Sequence, residues 1–233
     1  LTNSAFIIAG AVAGSVFGQV ITQQFRQKLM YCFSCITLGI GVSMTAKANA
    51  LPAVVISLLA GILLGEGLKL EARVMSLAVR SASLLSRRKG GAETVHDKSF
   101  RDQFAVATVL FCMSGLGIMG AMREGMTGDA SLLFIKSLLD MPTAMLFAAG
   151  VGAVIGALAL PQFLLQTGIL LAAAAVVPYT TPAMLADFTA CGGIIMLGTG
   201  LRQCALLEVP ILSMLPGLVL VMPVSALWQR VMG

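Results

Sequence analysis

From Ala5 to Leu68 the chain lays down three apolar runs separated only by short polar turns, and from Phe104 to Leu227 it lays down five more. No other feature restricts the fold so strongly. A helix needs about 20 apolar residues to cross the roughly 30 Å hydrocarbon layer of a bilayer. The runs at 5–22, 29–46, 51–68, 104–122, 141–160, 162–178, 185–201 and 206–227 therefore read as membrane-spanning helices. Of the 233 residues, 58% are hydrophobic and 11% charged, whereas soluble domains carry about 25% charged residues. The mean hydropathy is +0.96. A water-soluble fold is excluded. The expected architecture is all-α, a single polytopic transmembrane helical bundle over 1–233, with about eight spans, or seven if the first run fails to insert. No basic residue precedes that run, which argues against a signal peptide.

One long hydrophilic stretch, 69–103, divides a three-span part (1–68) from a five-span part (104–233). It holds most of the charge excess of +5, in Lys69, Arg73, Arg80, Arg87, Arg88, Lys89, Lys98 and Arg101. Basic residues gathered in one loop between spans mark a cytoplasmic segment. The partner this implies is membrane lipid, not nucleic acid. With the loop inside, Arg26, Lys28 and Arg202 also fall inside, and of the 15 basic residues only Lys47, Arg123, Lys136 and Arg230 lie elsewhere. Both termini then face the periplasm.

Segment 130–160 is too long for one crossing and too short for two. Pro142 divides it, because proline removes an internal helix hydrogen bond. The expectation is a half-helix from Ser131 to Leu139 followed by one full span.

The motif "LGIG" at Leu38–Gly41 recurs as "LGTG" at Leu197–Gly200. Each copy is followed by a similar segment, "SLLAGILL" at Ser57–Leu64 and "SMLPGLVL" at Ser213–Leu220. The second and third spans thus resemble the seventh and eighth. An odd number of crossings separates the copies, so they traverse the membrane in opposite senses, the plan of inverted-repeat transporters. A third copy, "FCMSGLGIMGAM" at Phe111–Met122, shares Phe111, Leu116, Gly117, Ile118 and Met122 with the first. Glycine-interrupted helices at corresponding places point to a midplane site. Gly39, Gly41, Gly117, Gly198 and Gly200 are accordingly expected to break their helices and expose backbone groups, although close packing explains them equally well. The stripes Gly10/Gly14/Gly18, Ala148/Gly152/Gly156 and Gly61/Gly65 suit helix packing, within one chain or across a homodimer.

Ionisable residues inside spans are costly and so are candidates for function. Asp140 lies at the proposed break, and Lys136, four residues earlier, can pair with it on one helical face. Asp187 opens the seventh span, either complementing the helix dipole or acting as a cation ligand assisted by the hydroxyls of Thr180, Thr181 and Thr189. Arg202 and Glu208 are placed to pair across the last turn. Asp129 or Ser131 is expected to cap the helix that follows. Cys32 and Cys35 have a redox-like spacing but lie in an apolar run, with no second pair and no nearby histidine, and read as packing residues. No metal site, cofactor or catalytic set is expected.

The segments "VLFCMSGLGIMGAMREGMTGDASLLFIKSLLD", "VPYTTPAMLADFTACGG" and "LPGLVLVMPVSALWQRV" resemble the bacterial inner-membrane family of YqgA and YdfK, a family of unknown function. The resemblance covers nearly the whole chain. It implies a multi-pass inner-membrane protein and supplies no substrate, reaction or site residue. From the residues, the leading functional expectation is a small transporter or channel for an ion or small solute. The alternatives are a non-catalytic membrane module, such as a partner subunit or sensor, and, with less support, an intramembrane enzyme.

Overall fold

The computed structural model describes residues 1–17, 23–74, 76–77, 80, 103–104, 106–108, 110–112, 114–204 and 206–232. Most of the basic connector at 69–103 lies outside the described residues, as do Gly18 and the end of the first expected span. Among the described residues there is no strand. Among the described residues, six helical stretches are long and apolar enough to cross a membrane, at Gln27–Thr45, Val106–Thr127 (interrupted at Ser114), Ser131–Val151, Ala153–Tyr179, Pro182–Gln203 and Ile211–Met232. The expected span 141–160 is not one helix, because the chain breaks within it at Gly152, between Ser131–Val151 and Ala153–Tyr179; two shorter apolar helices, Thr2–Val16 and Leu51–Gly67, overlap the first and third expected spans. Their outward faces are apolar: Leu63 is 75% and Val219 68% exposed. Helices with apolar surface on both the packed and the open side belong in lipid.

The chain folds as two compact units interleaved along the sequence. The first holds Leu1–Gln27 and Arg73–Ala174, the second Lys28–Ala72 and Ala175–Gly233.

The first unit contains α1 (Thr2–Phe17), helical residues within 103–112, α4 (Gly115–Thr127), α5 (Ser131–Val151), a 3-10 segment (Ala153–Leu158) and most of α6 (Ala159–Val176). Its apolar core joins Ile7 and Ala11 to Phe104, Phe111, Ala144, Ala148 and Ile155. Phe111 and Phe147 meet edge to face at 6.3 Å. Helix α1 lies close along α5. A Cβ at Gly10 or Gly14 would collide with the carbonyl oxygens of Met141 and Met145, so the glycine stripe in α1 does pack.

The expected half-helix does not form. Helix α5 runs unbroken from Ser131 through Pro142 to Val151. Proline removes one donor, and that single loss does not end a helix held by neighbours along its length. The break falls instead at Gly152, whose φ of 88° is a conformation side chains resist. A second break falls at Ser114. This residue is extended (φ −72°, ψ 137°), and its hydroxyl accepts the amide hydrogen of Gly117 at 3.1 Å to cap α4. Among the glycine motifs, then, the third copy lies beside a helix interruption.

The second unit contains most of α2 (Gln23–Thr45), α3 (Leu51–Gly67), α7 (Pro182–Gln203), the short α8 (Ile211–Met214) and α9 (Pro216–Met232). Helices α2 and α7 are continuous through Gly39, Gly41, Gly198 and Gly200, which corrects the expectation of breaks there. Three of these glycines receive side chains. A Cβ at Gly41 would lie 2.9 Å from Leu197, one at Gly200 would lie 2.7 Å from Leu38, and one at Gly198 would lie 2.9 Å from Val209. Gly39 has nothing within 4 Å. A neighbouring side chain that fills the space above a glycine removes the reason for the helix to unwind.

The two helix pairs of this unit run antiparallel. Along α2 and α7, Leu38 meets Gly200, Gly41 meets Leu197 and Thr45 meets Gly193. Along α3 and the α8–α9 segment, Gly61 meets Gly217 of α9 and Gly65 meets Ser213 of α8. Numbers rise on one partner as they fall on the other.

Candidate functional site

The charged residues buried in the first unit come from one helix. Residues four apart on a helix share a face, and on α5 that rule brings Lys136 Nζ to 2.5 Å from Asp140 Oδ2. Both side chains are buried, Lys136 with 1% of its surface exposed. A lone charge at the centre of a bilayer costs about 3 kcal/mol on insertion scales; pairing lets both charges remain. Gly117 of α4 makes room for the pair: a Cβ there would lie 2.6 Å from Lys136 Cε and 3.1 Å from Gln166 Nε2.

Three carboxamides complete the cluster. Gln162 of α6 donates Nε2–H to Asp140 Oδ2 at 3.1 Å. Asn3 of α1 donates to Gln166 Oε1 at 3.5 Å. Gln162 and Gln166 are four residues apart and so face the same side of α6. Asn3 Oδ1, Gln162 Oε1 and Gln166 Nε2 are buried without hydrogen-bond partners. Buried polar atoms are nearly always paired, so three orphans around one ion pair mark a place equipped for something more. The sequence reading named Lys136, Asp140 and Gly117 but missed Asn3, Gln162 and Gln166. The available signal was the pair of glutamines, four apart, in the otherwise apolar "LPQFLLQTGILL".

In the second unit, Asp187 is fully buried. Its Oδ1 accepts the backbone amide hydrogens of Asn49 at 2.8 Å and Ala50 at 2.6 Å, and its Oδ2 accepts from Ser225 Oγ at 2.6 Å. The first amides of a helix have no partner within it, and Asp187 serves those at the start of α3 rather than its own helix. The expected hydroxyls are engaged elsewhere. Thr181 caps α7 by accepting from the Met184 amide, Thr180 donates to the Val177 carbonyl, and Thr189 donates to the Leu185 carbonyl. These bonds are local, and the partners of the Asp187 carboxylate are Asn49, Ala50 and Ser225 instead.

Arg202 pairs with Glu71 at 2.5 Å and also donates to the Val209 carbonyl; Glu208, its expected partner, shares a cavity wall with both. Asp129 accepts the Ser131 amide hydrogen at 2.9 Å at the start of α5 and pairs with Arg123 at 2.7 Å. Cys32 and Cys35 are exposed, not packed: they lie on the open side of α2. Among the described residues no group of three or more His, Cys, Asp or Glu side chains could hold a metal ion.

Apolar helices with open apolar faces, around a buried charged cluster, define a polytopic α-helical membrane protein. The chain belongs to the family described as "Protein of unknown function (DUF554)", which matches residues 1–226. It is 41% identical over 228 residues to "Uncharacterized protein YqgA" of Escherichia coli (strain K12), covering 97% of this chain and 95% of that protein. It is 28% identical over 222 residues to "Uncharacterized membrane protein YdfK" of Bacillus subtilis (strain 168), covering 94% of this chain and 91% of that one. No solved structure matches the chain.

Proposed function

We propose that the protein is a small, non-catalytic transporter or channel for an ion or small solute, set in the bacterial inner membrane with the 69–103 connector on the cytoplasmic side. The observation that carries this reading is the set of unpartnered atoms of Asn3, Gln162 and Gln166 beside the buried Lys136–Asp140 pair. In lipid, an intramembrane ionisable residue is retained against a standing cost, and substrate pathways are the usual reason. The interruption at Ser114, close in sequence to Gly117, adds backbone polarity next to the cluster.

We further infer an inverted repeat in the second unit, which would support the same reading. If Leu38–Gly41 corresponds to Leu197–Gly200, then the contact of Leu197 on Gly41 and that of Leu38 on Gly200 are one contact seen from each copy. Gly61 against Gly217 joins corresponding positions of the later segments. Such reciprocity is what a two-fold axis in the membrane plane would produce.

The test is flux across proteoliposomes over a broad panel of ions and small neutral solutes. Wild type is expected to pass at least one solute faster than empty vesicles, and Asp140→Asn or Gln162→Leu to slow it at least tenfold. Wild-type vesicles as tight as empty ones across the panel would end the reading.

A further inference from the structure

Three segment ends come together in the second unit. Helix α3 ends at Gly67, α7 ends at Gln203 and α8 begins at Ile211. Just beyond these ends lies an open cavity of about 450 Å³, walled by Glu71, Arg202, Leu207, Glu208 and Val209. That volume falls within the roughly 300–1,000 Å³ of small-molecule sites. Its charged groups are within reach of a ligand: the side chains of Arg202 and Glu71 are 40% and 31% exposed, and Glu208 is exposed. Arg202 spends Nη1 on both of its bonds, to Glu71 and to the Val209 carbonyl. A guanidinium carries N–H donors on all three nitrogens, and those of Nη2 and Nε have no partner among the described residues. Nor does the Glu208 carboxylate have a hydrogen bond or ion pair among them.

We infer that this cavity holds the headgroup of a zwitterionic phospholipid of the phosphoethanolamine class, its phosphate on Arg202 and its ammonium on Glu208. The inference is independent of the transport reading. A phosphate takes two parallel N–H bonds from the free edge of a guanidinium, and a primary ammonium brings the donors that a carboxylate accepts. Charge separates this class from others. One guanidinium faces two carboxylates in the wall, which leaves one negative charge in excess. A headgroup that is anionic overall meets that excess as repulsion. A simple cation satisfies Glu208 and leaves the free edge of Arg202 unused. A quaternary ammonium carries the charge but has no N–H to donate. The setting favours a lipid over a soluble zwitterion. The cavity lies where apolar helices end, and beside it Leu206 and Leu207 are 67% and 57% exposed. Apolar side chains next to charged ones suit the boundary between headgroups and acyl chains, where a lipid covers apolar surface that a bare headgroup leaves wet.

The experiment is native mass spectrometry of the delipidated protein in detergent, titrated with phosphatidylethanolamine, phosphatidylcholine and phosphatidylglycerol of identical acyl chains. Wild type is expected to bind phosphatidylethanolamine about tenfold more tightly than either of the others. Glu208→Gln should remove that preference, and Glu208→Lys should reverse it in favour of phosphatidylglycerol. Glu208 is exposed and unpartnered, so both variants should fold as wild type does, which circular dichroism checks. Arg202→Gln should weaken phosphatidylethanolamine by about tenfold; if that variant does not fold, the two Glu208 variants decide the matter. Equal affinity of wild type for the three lipids would overturn the inference, as would a preference for phosphatidylglycerol. A phosphatidylethanolamine preference untouched by both Glu208 changes would place the headgroup elsewhere and overturn it too. Displacement of the lipid by soluble glycerophosphoethanolamine at equal concentration would make the ligand a free solute and overturn the lipid assignment. None of these results depends on flux, so the transport reading stands or falls by its own test.

Discussion

Leu197 of α7 lies in the space that a side chain on Gly41 of α2 would need, 2.9 Å from the Cβ position. Leu38 stands in the same relation to Gly200. The two Leu-Gly-x-Gly motifs thus interlock, and the glycines are where each helix lets the other approach.

Closeness of approach ranks the glycines. A Cβ at Gly61 would lie 2.6 Å from Gly217 Cα, which is backbone and cannot move aside like a side-chain tip. Gly61→Ala is expected to destabilise by about 1–3 kcal/mol. Gly39→Ala meets nothing within 4 Å and should stabilise by up to about 1 kcal/mol through helix propensity. Equilibrium unfolding in detergent micelles measures both, and equal effects would refute the packing assignment.

The Lys136–Asp140 pair should behave as a coupled unit. Lys136→Met or Asp140→Leu alone leaves one buried charge unpaired, which costs roughly 3–5 kcal/mol. The double variant removes both charges and should cost much less than the sum. A double-mutant cycle in the same unfolding assay reads the coupling directly; additive losses would mean that the two groups do not depend on each other.

Asp187 is a structural acceptor for three donors. Asp187→Ala should leave the Asn49 and Ala50 amides without a partner and cost roughly 3 kcal/mol, whereas Ser225→Ala removes one donor and should cost about 1 kcal/mol. Hydrogen exchange at Asn49 and Ala50 should rise sharply in Asp187→Ala and little in Ser225→Ala. Slow exchange at both amides in Asp187→Ala would contradict this role.

The Asp129 carboxyl sits in the turn between α4 and α5. Hydrogen bonds from the Ser131 hydroxyl and amide, with help from the charge of Arg123, hold its pKa below the ordinary value of 3.8. A lowered acid pKa in the folded state contributes stability that is present above the unfolded value and lost as pH falls through the folded one. The side chain is 33% exposed to solvent, so water screens the interaction and the effect on stability is small. A carbon-detected titration should place its midpoint below 3.8 and show it rising in Ser131→Ala; a midpoint unmoved by that change would remove the hydrogen bonds as the cause.

The parts of the site visible in the sequence were those set by short-range geometry. Lys136 and Asp140 are four apart in an apolar run, so their pairing needed no knowledge of other helices. Asp129 beside a helix start was legible for the same reason. Gln162, Gln166 and Asn3 join the pair only because α6 and α1 dock against α5, which no local pattern specifies. Pro142 misled because proline reports a lost bond, not whether the neighbours of a helix hold it through that loss.

The residues by themselves determined the solvent, the helical class, the apolar segments and the charge on one face of α5, because hydropathy and helical spacing act within a few turns. Tertiary structure alone decided that Gly41 and Gly200 would be filled by Leu197 and Leu38 rather than unwound, that the breaks would fall at Ser114 and Gly152, and that Asp187 would serve the start of α3. Each of these depends on which surface a distant helix presents, and a backbone unwinds only where no such surface arrives to cover it.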